Sequence, residues 1–181
     1  RDPYGIRPLV IGKIKSSYVF ASETCALDII GAKYIRDVEN GEIVFVENNK
    51  LNSIKPFPQK KIRPCVFEYI YFSRPDSILN NKCAYEYRKN FGIELAKETH
   101  AEADLVIPVP DSGVPAAIGY SQYIGKNFEL GLIRNHYVGR TFIEPSQKIR
   151  GLGVKLKLSA NKSSIKNKKI ILIDDSLVRG T

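Results

Sequence analysis

The sequence predicts an α/β protein: a doubly wound parallel sheet with its helices in the later part of the chain, preceded by a smaller α+β region. Three observations carry this. Short apolar runs alternate with helical periodicity after residue 64, as in parallel sheets with crossover helices. Residues 1–54 are instead dominated by strand-like runs closed by turn residues. Between the two patterns, residues 55–64 are rich in proline and lysine and read as a linker, so a domain boundary is placed at 58/59.

In the first region, Arg7–Gly12 and Tyr18–Ala21 read as strands, Thr24–Ile30 as a short helix and Glu42–Val46 as a third strand. Asn48-Asn49-Lys50 then turns the chain. In the second region, Tyr85–Glu102 has helical periodicity, with Tyr87, Phe91, Leu95 and Ala96 on one face. Asp104–Pro110 reads as a buried strand, Pro115–Tyr123 as a short helix, and Glu129–Arg134 and Lys169–Ile173 as further strands. No internal repeat is visible.

The 181 residues suffice for one domain or parts of two. No apolar run approaches the roughly 18 residues that span a bilayer, which argues against a membrane protein. The chain opens at Arg1-Asp2-Pro3 without a signal-peptide pattern, contains no methionine and stops after Gly180-Thr181, so it reads as a piece lacking both ends of a longer chain. Three cysteines, an odd number without a CxxC pair, argue against a disulfide framework and for a reducing, cytoplasmic setting.

The net charge is +9, and it is concentrated. From Pro145 to Ile173 there is no Asp or Glu, but there are Lys148, Arg150 and six lysines from Lys155 on. Such a surface is a solvated basic face or steers an anionic substrate. A nucleic-acid surface is the weaker reading, because aromatic residues do not interleave with the basic ones.

The strongest chemical signal is Ile170–Thr181. An apolar strand ends in Asp174-Asp175 and runs into Ser176-Leu177-Val178-Arg179-Gly180-Thr181. In open α/β sheets, ligands bind beyond the carboxyl ends of strands. A turn of small residues lets backbone N–H groups surround a phosphate. Two adjacent carboxylates repel phosphate, but they accept hydrogen bonds from ribose hydroxyls or hold a hard cation such as Mg²⁺. An acidic pair beside an anion-binding loop suits a sugar phosphate.

This stretch resembles the phosphoribosyl pyrophosphate (PRPP) signature of the type I phosphoribosyltransferases. Further segments narrow the resemblance to the amidophosphoribosyltransferases. Cys65–Ser77 (CVFEYIYFSRPDS) is similar to the opening of that family's transferase domain. Val109-Pro110-Asp111-Ser112-Gly113 is similar to the loop after its next strand, and Tyr137–Ile143 (YVGRTFI) to the loop that closes over PRPP. Arg1–Leu9 (RDPYGIRPL) and Ala21-Ser22-Glu23 resemble the last part of the N-terminal-nucleophile glutaminase domain. The resemblance implies residues 1–58 as the C-terminal part of the class II glutamine amidotransferase domain and 59–181 as the N-terminal part of the phosphoribosyltransferase domain. One departure stands out: the family's Lys-Asn-Arg-Tyr is here Arg134-Asn135-His136-Tyr137, which puts one loop charge in doubt.

The implied activity takes glutamine, PRPP and water to 5-phosphoribosylamine, pyrophosphate and glutamate, with ammonia passing between two sites. That is the first committed step of purine nucleotide (IMP) synthesis. PRPP binding is implied for Asp174, Asp175, Ser176, Leu177, Val178, Arg179, Gly180, Thr181 and Arg140. Mg²⁺ binding is implied for Ser112, Asp174 and Asp175. No catalytic residue is implied within the chain, because the family's cysteine nucleophile lies upstream of Arg1, and the piece alone is expected to be inactive. Cys65 stands where some members place the first of four ligands to a [4Fe–4S] cluster and others keep a plain cysteine; the stretches around Ser112 and Pro145-Ser146-Gln147 lean toward the first. Cys25 and Cys83 read as structural, His100 as solvated, and Ser112 as a helix cap as well as a ligand. A homo-oligomer, dimer or tetramer, is implied, with no nucleic-acid or membrane partner. A salvage phosphoribosyltransferase and a PRPP-sensing, nucleic-acid-binding regulator share the PRPP signature, but the Arg1–Leu9 segment speaks against both.

Overall fold

The computed structural model describes residues 1–58, 60–99, 101–137 and 147–177, without the side chains of 147, 148 and 150. The chain forms two compact units, Arg1–Tyr87 and Arg88–Thr181.

In the first unit, β1 (Val10–Ile14), β2 (Ser17–Ala21) and β3 (Lys33–Asp37) form an antiparallel sheet in the order β2-β1-β3. Helix α1 (Thr24–Ile29) sits between β2 and β3 in the sequence and turns Leu27 inward, where it packs with Val10 and Ala32. A separate ribbon pairs β4 (Ile43–Glu47) with β5 (Lys50–Ile54). Its two-residue turn, Asn48-Asn49, has φ of 50° and 58°, the left-handed backbone that asparagine tolerates and this hairpin type requires. The same device, Asn80-Asn81, joins β6 (Ile78–Leu79) to β7 (Lys82–Cys83).

Residues 63–78 return onto the first segment. Arg63 and Cys65 donate backbone hydrogen bonds to the carbonyls of Tyr4 and Ile6, and Glu68–Phe72 then makes one π-helical turn. By compactness the chain therefore divides at Tyr87/Arg88, downstream of the proline-rich stretch that the sequence marks as a linker.

Helix α2 (Ala84–Glu98) runs from the first unit into the second and ends before the expected Glu102. Beyond it lie β8 (Leu105–Pro108), α3 (Val114–Ile124) and β9 (Asn127–Phe128). They are followed by β10 (Leu132–Arg134), α4 (Gln147–Lys157), β11 (Leu158–Ala160), α5 (Lys162–Ile165) and β12 (Ile170–Ile173). The parallel sheet has the order β12-β8-β9, so the expected parallel sheet with helices is present. All of β8 is buried, as a central strand between two parallel neighbours must be.

Two expectations need correction. The stretch 129–134 is not a strand of the parallel sheet: β9 takes that place, and β10 pairs antiparallel with β11. Glu129, Leu130 and Gly131 fall between them, so only Leu132–Arg134 of the expected stretch is a strand. Helix α2 also does not bury Phe91 and Leu95, which are 41 % and 40 % exposed. It buries Arg88, Gly92 and Ala96, spaced four apart. Crowding against α3 explains this choice. A Cβ on Gly92 would lie 1.9 Å from the Ala116 carbonyl oxygen, and one on Gly119 would lie 1.9 Å from that of Lys89. The helices meet backbone to backbone, which leaves no room for an aromatic face there. Ala96, Val106, Ala117, Tyr120 and Ile173 form the core beneath.

Gly92→Val should prevent this approach and lower unfolding free energy by about 3 kcal/mol or abolish folding, as overpacked positions do; urea titration measures it. In the first unit, Glu42 is 1 % exposed and its carboxylate accepts two bonds from Arg36, at 2.6 and 2.8 Å, and one from the Glu39 N–H. The Arg36 hydrogen bonds lead in holding its pKa down at about 2, against an ordinary 4.5. The unfolded chain therefore binds the extra proton first as pH falls, so the stabilisation is full above 4.5 and lost toward 2. Glu42→Gln should cost roughly 2 to 3 kcal/mol at pH 7 and much less at pH 2, read by urea titration at both pH values.

Candidate functional site

The register of the two longer parallel strands decides the site. Ile170 through Ile173 of β12 pair with Leu105 through Pro108 of β8, so both strands end at the same level. Val109 N–H continues the ladder to the Ile173 carbonyl at 2.7 Å. Beyond it the chain turns sharply: the Pro110–Asp111 peptide is cis, and Gly113 N–H bonds back to the Val109 carbonyl at 3.0 Å. A Cβ on Gly113 would stand 2.5 Å from the Ile173 oxygen, so only glycine lets α3 begin this close to β12.

This turn brings Ser112 to Asp175. The Ser112 hydroxyl donates to Asp175 Oδ1 at 2.8 Å, across 63 residues of sequence. Helix α3 starts at Val114 after Gly113, with no side-chain cap, so the Ser112 hydroxyl serves Asp175 and not the helix end. The other oxygen, Asp175 Oδ2, is buried and has no hydrogen-bond partner among the described residues. A buried carboxylate oxygen left unpaired costs free energy, which suits a place where a ligand's hydroxyl or a cation completes it. Next to Ser112 in the chain, Asp111 forms an ion pair with Arg134 at the end of β10, whose Nε is buried with no hydrogen-bond partner among the described residues.

Asp174 adds a second carboxylate. Burial, and then the hydrogen bond and charge of Asp175, push its pKa from 3.8 up to about 6, against the lowering effect of the Asp175 and Ser176 N–H groups. Two carboxylates at neighbouring positions resist sharing two negative charges unless a cation or a set of hydroxyls lies between them. An all-oxygen donor set of this kind fits a hard divalent cation such as Mg²⁺. It does not fit an iron–sulfur cluster. Cys25, Cys65 and Cys83 are free thiols, and no group of three or more His, Cys, Asp or Glu side chains gathers among the described residues.

No protein-family model matches the chain. It is 58 % identical, over its full length, to 38 % of an amidophosphoribosyltransferase of Rhizobium etli. It is 54 % identical, again over its full length, to 37 % of the amidophosphoribosyltransferase of Synechocystis sp.. Among solved structures, a glutamine PRPP amidotransferase from B. subtilis complexed with ADP and GMP superposes with a TM-score of 0.88 at 49 % identity. That match covers 99 % of this chain and 39 % of that one.

Along its whole length the chain is a relative of the amidophosphoribosyltransferases.

It spans somewhat over a third of the length of these relatives. Within this family frame, Ser112, Asp174 and Asp175 stand together at the strand ends, while Ser176 and Leu177 follow as exposed residues. Val178, Arg179, Gly180, Thr181 and Arg140 lie outside the described residues, as does His100. Cys65 stands in the other compact unit, with its N–H bonded to the Ile6 carbonyl. The sequence reading overlooked the pairing of Asp111 with Arg134, although both residues belong to stretches it singled out. The signal available was the acid within Pro110-Asp111-Ser112-Gly113. A cavity of about 780 Å³ between Ala101, Asp104, Lys126 and Lys169 opens at the opposite ends of the strands, away from these residues.

Because the folded state holds the Asp174 proton more tightly, that contribution to stability is full below 3.8 and is lost as pH rises through about 6. Asp174→Asn should therefore melt higher than the parent at pH 8, with the difference shrinking toward pH 4. Thermal unfolding without divalent cations checks this.

Proposed function

We propose that this chain is the central part of a glutamine-dependent amidophosphoribosyltransferase. The intact protein would form 5-phosphoribosylamine, pyrophosphate and glutamate from glutamine, PRPP and water, opening purine nucleotide synthesis in the cytoplasm. The observation that carries the reading is the Ser112–Asp175 hydrogen bond, which joins two family motifs at the carboxyl ends of adjacent parallel strands and leaves Asp175 Oδ2 buried and without a hydrogen-bond partner among the described residues. The similarity to amidophosphoribosyltransferases along the whole chain supports it.

In this reading residues 1–58 close the glutaminase domain and residues 59–181 open the phosphoribosyltransferase domain, built as a doubly wound sheet. Asp174 and Asp175 accept hydrogen bonds from the ribose hydroxyls and fix the ring. Ser112 holds Asp175 in the rotamer that does so. Ser176 to Thr181 wrap the 5′-phosphate with backbone N–H groups, and Arg140 faces the pyrophosphate from the closing loop. Asp174, Asp175 and Ser112 would hold Mg²⁺, which when bound would supply charge neutralisation to the departing pyrophosphate. Displacement at ribose C1 develops positive charge on the sugar and negative charge on the leaving group, so these residues act by orientation and electrostatics and not as nucleophiles. Glutamine hydrolysis belongs to a cysteine that is not among the site residues assigned here, and a homo-oligomer is the expected assembly.

In the full-length protein, Asp174→Asn should lower ammonia-dependent phosphoribosylamine formation at least about 100-fold, as loss of positioning and charge at a transition state does. Glutamine hydrolysis measured without PRPP should change little. Equal loss of both activities would remove Asp174 from the assigned role.

A further inference from the structure

Two carboxylates bind the SRPDS stretch, Ser73–Ser77, at both its ends. At the first end, the Ser73 hydroxyl donates to Glu68 Oε2 at 2.7 Å, and Glu68 Oε1 is paired with Arg7. The Arg7 guanidinium also lies 5.1 Å from the centre of the Phe72 ring. At the second end, Glu23 Oε2 accepts the Arg74 N–H at 2.7 Å and the Ser77 hydroxyl at 2.7 Å. The next residue, Thr24, accepts the Ile78 N–H through its hydroxyl at 2.8 Å. Ser73 and Ser77 are 1 % and 0 % exposed, and Glu68 is 4 % exposed.

These are costly groups to bury. A plain packing contact between two segments is made as well by apolar side chains, often with greater stability. Charged hydrogen bonds fix position and direction in a way that apolar contact does not. Arg7 and Glu23 come from the stretches that resemble the glutaminase domain, whereas Glu68, Ser73 and Ser77 come from the stretch that resembles the opening of the transferase domain. All of them fall in one compact unit, Arg1–Tyr87.

We infer that Glu23 and the Arg7–Glu68 pair are positioning residues that couple the two half-reactions, by fixing the transferase opening segment on the glutaminase domain in a single arrangement. The inference rests on the reading under Proposed function. The pair and Glu23 act through the segment they hold. Their effect is on where the π-helical turn and its aromatic side chains Tyr69, Tyr71 and Phe72 stand, and so on how much ammonia released at one site reaches the other.

The test uses the full-length protein with Glu23→Ala, the milder Glu23→Gln and the pair variant Glu68→Gln. Three quantities are measured: ammonia-dependent product, glutamine-dependent product, and glutamate released per phosphoribosylamine formed. In Glu23→Ala the ammonia-dependent rate should stay within about twofold of the parent, while the glutamine-dependent rate falls roughly tenfold. Glutamate released per product should rise from near one to several, with Glu23→Gln and Glu68→Gln in between. Partial unfolding cannot imitate this, because molecules that remain folded keep their ratio. A ratio that stays near one in all three variants overturns the inference, whether or not the rates fall together. A parent protein that makes no phosphoribosylamine from either nitrogen source overturns the functional reading, and this inference with it.

Discussion

The hydrogen bond from Val109 N–H to the Ile173 carbonyl is the constraint on which the candidate site depends. It extends the β8–β12 ladder one step past the strand ends and fixes the level at which both chains leave the sheet. Gly113 packs against the same carbonyl, so the turn that follows β8 has one path open to it. On that path Ser112 meets Asp175. A slip of one residue in the register would turn the inward side chains of β12 outward and separate the two. Burial of Val106, Ile107 and Ile173 makes such a slip costly, because it would expose apolar groups that the core now covers.

Much of this was legible in the sequence, and for identifiable reasons. The apolar run before Asp174 is too short for a helix and too continuous for a surface strand, so its place in a parallel sheet could be read directly. Asn48-Asn49 announced a turn because asparagine tolerates the left-handed backbone, although the strand Lys50–Ile54 after it was not foreseen. The same pair at Asn80-Asn81 was passed over, since the strands around it have two residues each and give no periodic signal. The face of α2 was misread because periodicity reports where apolar side chains recur, whereas Gly92 is buried for having none. The run through 129–134 was assigned to one strand because sequence carries no mark of where a chain changes from one sheet to another. The Ser112–Asp175 contact belongs to this second class: both residues stand out in their own stretches, but their meeting follows from strand register alone.

Carboxylates held by close partners recur across the chain with different consequences. Glu42 is matched by a guanidinium and stays ionised to low pH. Glu68 and Glu23 take serine hydroxyls and hold a loop in place. Asp174 has a second carboxylate for a neighbour, and its proton is retained toward neutrality. The first three are satisfied by groups of the chain itself. At the strand ends two adjacent carboxylates receive one hydroxyl and backbone N–H groups but no contact from a cationic side chain among the described residues, and this imbalance suits a binding place more than a structural one.

The β4–β5 ribbon pairs with no other strand among the described residues, and it leaves Ile43, Phe45, Val46 and Ile54 more than 40 % exposed. A ribbon of two strands has little intrinsic persistence, and its outer amides offer a template to any extended peptide. Preparations of this stretch by itself would thus be governed by self-association at high concentration. Placing lysine or glutamate on the solvent side of Phe45 is the substitution that favours dispersed molecules over fibres.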